Sequence, residues 1–343
     1  MRQVELGRTG LTVSEIAFGG IPIQRLAESD AVAVVRRCLD LGITFLDTAH
    51  GYSTSEERIG KAIAGRRDGL VIATKSPARE GSAFREQMEL SFRRLGVHYV
   101  DIFQFHNIAT QEALDQVLAP DGPYAIARQA KADGRIGHIG VTSHSLDMAI
   151  KMAGMGLFET LMFPFNYVTQ EPANTLIPLC REKGIGFIAM KPMGGGMLED
   201  ATLSFKYLRQ HAGVVPVVGI EKPAEIEEIV GVLSGPTAFS EREQARMTEI
   251  VATLGDRFCR RCDYCQPCPQ GIQISTVINV KSFARRMPEE RVYGDWGRSL
   301  IAQAESCIQC GDCVSRCPYG LPVFDMVAEN AAWYTEQMAL HGV

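Results

Sequence analysis

Short runs of apolar residues alternate along most of this chain with longer stretches in which apolar residues recur every three to four positions. The continuous runs are Ile16–Gly19, Ile43–Leu46, Leu70–Thr74, Val100–Phe105, Ile136–Val141, Thr160–Phe163, Ile185–Met190 and Val214–Val218. Each has the length of a buried strand. Between them lie helical patterns, such as Asp30–Leu41 with apolar Val34, Val35, Cys38, Leu39 and Leu41, and Phe84–Leu95. Strands alternating with helices imply parallel pairing, and eight such units over about 230 residues predict a closed (β/α)8 TIM barrel of the α/β class. Residues 2–14 read as an opening hairpin, VEL and LTVS around Gly-Arg-Thr-Gly. The open doubly wound sheet is the competing fold. It carries G-x-G-x-x-G after its first strand, whereas Gly19-Gly20-Ile21-Pro22 stands here.

In a barrel of this kind chemistry gathers at the C-terminal ends of the strands. Asp47 closes the second run, Lys75 the third and His106 the fourth, with Tyr52 just beyond Asp47. Taken singly, each has a bland reading as a solvated or satisfied strand end. Together they form a site for protonating a carbonyl oxygen. A tyrosine with a pKa of about 10 becomes a usable acid only beside a cation, which Lys75 supplies and Asp47 keeps charged. His106 donates to the same oxygen. None of these residues provides a hydride, and a nicotinamide is the usual source.

Composition changes the picture at the far end of the chain. At 343 residues the protein exceeds one comfortable core, and Ser234-Gly235-Pro236 breaks the alternation after a last helix at Ala224–Leu233. The predicted organisation is a barrel over 1–235, a linking helix over 236–254, and a small α-rich domain over 255–343. Eight of the ten cysteines crowd into residues 259–317. Cys259, Cys262, Cys265 and Cys268 are spaced C-x2-C-x2-C-x2-C-P, and Cys307, Cys310, Cys313 and Cys317 are spaced C-x2-C-x2-C-x3-C-P. The second run has the bacterial ferredoxin spacing and the first departs from it by one residue, so two [4Fe-4S] clusters are expected. Two structural zincs are the competing reading. Cys38 and Cys180 fall on barrel helices as core residues.

A formal charge of -5, no apolar run long enough to span a bilayer and no signal-peptide pattern predict a cytoplasmic protein without nucleic-acid or membrane partners.

The hairpin, LDTAHGY, IATK and FQFH, in this order and spacing, resemble the Asp, Tyr, Lys and His tetrad of the aldo-keto reductase superfamily over residues 1 to about 235. The resemblance implies NAD(P)H-dependent interconversion of an aldehyde or ketone and its alcohol, with Tyr52 as general acid/base and His106 orienting the carbonyl. It places Ser143 and His144 at the nicotinamide carboxamide, where the family has Ser-Asn. Met162 and Met190 stand where the family has a glutamine and a stacking tyrosine. Lys191 and the run Gly194, Gly195 and Gly196 fall near the pyrophosphate. At the adenosine end the resemblance places Gly219 and Lys222 near the phosphate and Glu228 at the adenine; Glu225 leans the choice to NADH, and Lys222 stands as the alternative ligand for the 2'-phosphate of NADPH.

Barrel and tail together resemble the branch with a C-terminal ferredoxin-type dicluster domain. By that resemblance Cys317 joins Cys259, Cys262 and Cys265 on one cluster, and Cys268 joins Cys307, Cys310 and Cys313 on the other. Arg260, Arg261 and Arg316 beside the ligands either offset cluster charge or are solvated surface. The expected function is a carbonyl reductase or alcohol dehydrogenase acting on a small molecule, with clusters that brace the fold or serve a redox partner protein. Two alternatives stand beside it: an electron-transfer protein whose barrel docks a partner, and a cluster-linked redox enzyme without nicotinamide.

Overall fold

The computed structural model describes residues 1–340. The chain divides into two compact units, one up to Phe239 and the other from Ser240 onward.

The first unit opens with an antiparallel hairpin, β1 (Gln3–Glu5) and β2 (Thr12–Ser14), in which Val4 faces Val13. Eight strands follow: β3 (Ala17–Gly19), β4 (Phe45–Asp47), β5 (Val71–Ser76), β6 (Val100–Phe105), β7 (Ile136–Thr142), β8 (Thr160–Pro164), β9 (Gly186–Met190) and β10 (Val214–Gly219). Among the described residues these eight pair in parallel and close into a barrel, β10 lying between β9 and β3. Each matches one apolar run of the sequence, and the TIM-barrel expectation is borne out.

One boundary moves for a physical reason. Ile43 does not open β4; its amide donates to the Cys38 carbonyl at 3.1 Å and closes the end of the helix Glu28–Asp40. Its burial belongs to the turn between helix and strand.

Side chains at alternate strand positions face the barrel interior. Ala17, Phe45, Ala73, Ile102, Met162, Ile188 and Val215 fill it as one cluster, joined by Leu6 and Val13 of the hairpin. The hairpin therefore seals one end of the barrel and leaves the strands' C-terminal end for chemistry. Gly7 makes this seal possible. Its φ is +58°, and a Cβ there would lie 2.4 Å from the Gly186 amide nitrogen.

The second unit is helical. Ser240 caps the helix Glu241–Leu254, with Ser240 N donating to Glu243 Oε2 at 2.7 Å. Shorter helices at Ile274–Ile278, Val280–Ala284 and Asp295–Ala304, and the long helix from Val323, bury Val277, Val280, Leu300, Val323 and Tyr334 in a core of their own. Six of the clustered cysteines pack against this core. Among the described residues no helix is long and apolar enough to cross a membrane.

Candidate functional site

The strand period that fills the barrel also builds the site. Asp47 stands two residues after Phe45, Lys75 two after Ala73 and Gln104 two after Ile102, so all three project inward one layer above the apolar interior. Lys75 is 1% exposed and Asp47 3%. Lys75 Nζ donates to Asp47 Oδ2 at 2.6 Å and to the Thr48 carbonyl at 2.7 Å, and it shares a further hydrogen bond with the Tyr52 phenol. The ammonium has three donors, and each has an acceptor. Nζ lies 5.0 Å from the Tyr52 ring centroid, and the Tyr52 and His106 rings meet edge-on at 5.9 Å and 84°. Charge is sealed inside, while the phenol and imidazole are half-buried at the mouth.

Burial opposes the Lys75 ammonium, but the Asp47 carboxylate and the Tyr52 phenol outweigh it and hold its pKa above the ordinary lysine value. Burial likewise pushes Asp47 up, against the pull of Lys75 and of Gln104, whose Nε2 donates to Asp47 Oδ1 at 3.0 Å. The pair is an ion pair closed by a third group.

Gln104 is a residue that sequence reading passed over. It faces Lys75 across the β5–β6 register, and its Oε1 is buried with no hydrogen-bond partner. The available signal was a polar amide inside VDIFQFH, at the same parity as His106.

Glu56 was also passed over. It is 1% exposed, accepts from Thr74 Oγ1 at 2.6 Å and lies 3.5 Å from Arg94. It anchors the loop carrying Tyr52, together with His50 N donating to the Lys75 carbonyl at 2.9 Å and Ser55 Oγ donating to the Gly20 carbonyl at 2.7 Å.

The residues assigned to a dinucleotide spread around the same rim. Ser143 is fully buried, and its hydroxyl donates to the Ile108 carbonyl at 2.8 Å. His144 Nδ1 meets Asn107 Oδ1 at 3.0 Å. Lys191 has a φ of +57°, and Gly194, Gly195 and Gly196 follow at +58°, +70° and +90°. Such a run lets a ligand approach the backbone where side chains would intrude. Gly219 ends β10, and Lys222 precedes the helix Pro223–Ser234. Glu225 Oε2 accepts from the amides of Glu221 at 2.7 Å and Lys222 at 3.1 Å, so this carboxylate caps the helix with one of its oxygens. Glu228 is exposed on the same helix. Met162 is 2% exposed within the barrel interior, and Met190 packs against that interior. A glycine-lined rim closing on a helix N-terminus suits an anionic dinucleotide.

In the second unit the eight cysteines fall into two sets. Cys262 is acted on by Cys259 and Cys317, and Cys265 by Cys259 and Cys262. Cys313 is acted on by Cys307, Cys310 and Cys268. The fourth cysteine of each run thus lies beside the other run's triplet. Cys265, Cys268, Cys307, Cys310 and Cys313 also line one cavity. Burial, then neighbouring charge, pushes the Cys262 thiol up to about 11 and Cys265 to about 12. A cationic metal centre would favour thiolates so placed, and eight cysteine donors in two sets of four have the chemistry of iron–sulfur ligands.

A model described as the aldo/keto reductase family matches residues 15–204. The chain belongs to that family. A model described as a 4Fe-4S dicluster domain matches residues 258–322, so this aldo/keto reductase carries a dicluster domain at its C-terminal end. It is similar to L-galactose dehydrogenase of Arabidopsis thaliana, 33% identical over 57% of this chain and 66% of that protein. It is also similar to an aldo-keto reductase of Bacillus subtilis, 27% identical over 62% of this chain and 69% of the relative. The chain therefore spans about two thirds of the length of these curated relatives. Among solved structures, an aldo-keto reductase from Bacillus halodurans in its holo form superposes with a TM-score of 0.64 at 21% identity, covering 73% of this chain and 96% of that one. This last likeness bears on the fold.

Proposed function

We propose that the barrel interconverts a small aldehyde or ketone and its alcohol with NAD(P)H. The observation that carries this reading is the Lys75 ammonium, sealed between Asp47 and the Tyr52 phenol. Tyr52 gives its proton to the carbonyl oxygen, and Lys75 stabilises the phenolate left behind. Asp47 and Gln104 keep Lys75 charged and aimed. His106 donates to the same oxygen and sets the angle at which the carbonyl sits. Ser143, His144, Lys191, the three glycines, Gly219, Lys222, Glu225 and Glu228 would hold the dinucleotide, which when bound supplies a hydride to the carbonyl carbon. Glu225 keeps one oxygen for a ribose hydroxyl, which supports NADH over NADPH. The eight clustered cysteines hold two [4Fe-4S] clusters, in the crossed sets above, that brace the second unit or pass single electrons to a redox partner.

The test is a titration of anaerobically purified protein with NADH and NADPH, followed by a carbonyl panel. NADH binds more tightly, turnover follows, and Tyr52→Phe lowers kcat by more than about 100-fold with the cluster absorbance unchanged. Absence of nicotinamide binding together with no turnover would reject the reading and favour an electron-transfer protein.

A further inference from the structure

Arg79 lies just beyond β5 and reaches to the end of β6, beside the proposed carbonyl site. Its Nη1 donates to the Pro77 carbonyl at 2.9 Å, and its Nη2 donates to the carbonyls of His106 and Asn107, each at 2.9 Å. All three acceptors are neutral. Nε and the second Nη1 hydrogen have no acceptor among the described residues.

The guanidinium is half-buried, and burial alone holds it below the usual arginine range, with no carboxylate acting on it. The other arginine held down by burial, Arg58, has Glu28 and Glu57 acting on it. Elsewhere around the barrel Arg94 lies between Glu56 and Glu57, and Arg67 pairs with Asp101 at 2.6 Å. A cation partly withdrawn from water is normally paired, because carbonyl dipoles solvate it without neutralising it. Among the described residues Arg79 lacks that counter-charge, and it lies against the strand end that carries His106.

We propose that Arg79 binds an anionic group of the substrate, so that the preferred carbonyl compound carries a carboxylate or phosphate a few bonds from its reacting carbon. This rests on the carbonyl-reductase reading. The anion belongs to the substrate rather than the dinucleotide, since Gly219 and Lys222 follow β10, three strands around the barrel from β5. The polar interactions at Arg79 fit an oxyanion of either kind.

The test compares matched pairs on the full-length holoprotein: 4-oxobutanoate against butanal, and glyceraldehyde 3-phosphate against glyceraldehyde. kcat/KM favours the charged member of at least one pair, and the pair with the larger ratio identifies the anion. Arg79→Gln lowers that ratio by roughly 10- to 100-fold while neutral turnover persists, and Arg79→Lys keeps part of it. An unchanged ratio with both members slowed equally would overturn the proposal and leave Arg79 a tie between two loops. If no carbonyl is reduced, the reductase reading fails, and calorimetry with 4-hydroxybutanoate and inorganic phosphate decides the anion site. Binding lost in Arg79→Gln upholds it, whereas binding that is absent from the wild type, or equal in wild type and variant, rejects it.

Discussion

The barrel and the C-terminal unit assemble reactive groups in opposite ways. In the barrel, the Asp47 carboxylate is held inside the fold by Lys75 at 2.6 Å and by Gln104 at 3.0 Å. In the second unit, eight thiols gather in sets that would repel once ionised, and burial pushes Cys265 up to about 12. On the proposed reading the first site is held together by the protein and the second is completed by metal. Folding should therefore tolerate loss of the dinucleotide and respond strongly to loss of iron, because metal binding and folding are coupled when ligands cannot neutralise each other.

The largest effect expected from this contrast is selective. Stripping iron with a chelator under mild oxidation should open the chain from Ser240 onward to proteolysis while the barrel stays protected. The measurement is hydrogen exchange by mass spectrometry with and without metal. Equal protection of the second unit in both states would mean that its own core of Val277, Val280, Leu300 and Tyr334 suffices.

Next in size is the buried pair. Lys75→Met leaves the Asp47 carboxylate without its cation in the barrel, a loss of about 3–5 kcal/mol. Denaturant unfolding of the barrel transition reads it directly. The double variant Asp47→Asn with Lys75→Met should recover much of the loss, because nothing charged remains unpaired. Gln104→Leu is a smaller perturbation, about 1–3 kcal/mol from the Asp47 oxygen it strands. It should also shift the pH dependence of turnover, since Asp47 loses a donor that favours its charged form. A Leu variant with unaltered stability and pH profile would remove Gln104 from the site.

Legibility in the sequence divides along the same line. The eight strands could be read because a fully buried parallel strand has to be apolar throughout, and its run length is a local signal. The tetrad positions followed from strand ends, and the cysteines from spacing, which is local too. Gln104 was harder. Its role depends on lying across the β5–β6 register from Lys75, a pairing of residues 29 apart that only the closed barrel creates. Glu56 was hidden for the same reason, since a helical glutamate normally reads as solvent-facing, yet Thr74 and Arg94 draw this one inward. Glu225 carries a third lesson. A carboxylate that suits a ribose hydroxyl in sequence also suits the first turn of its own helix, and the backbone claims one oxygen first.

The smallest effect tests whether burial, rather than pairing as such, makes the Asp47–Lys75 pair matter. Glu159 accepts from His138, Lys131 and the Ile139 amide on the barrel's outer surface, with its side chain 35% exposed. Burial raises its pKa, but those donors prevail and hold it down to about 2, against 4.5 for an unperturbed glutamate. A group whose folded pKa is depressed stabilises the fold above its unfolded value, and that stability disappears as pH falls from about 4.5 to about 2. Glu159→Gln should therefore weaken the barrel slightly at pH 6 and leave it nearly unchanged near pH 2, where the folded wild-type carboxyl is at the midpoint of its titration and most of the linked stability has gone. Solvent screening limits the difference to about 1 kcal/mol or less. Urea midpoints at the two pH values measure it. A Glu159→Gln loss at pH 6 as large as that of Lys75→Met would show that pairing alone governs both sites, and the contrast between the sealed interior and the open surface would fall with it.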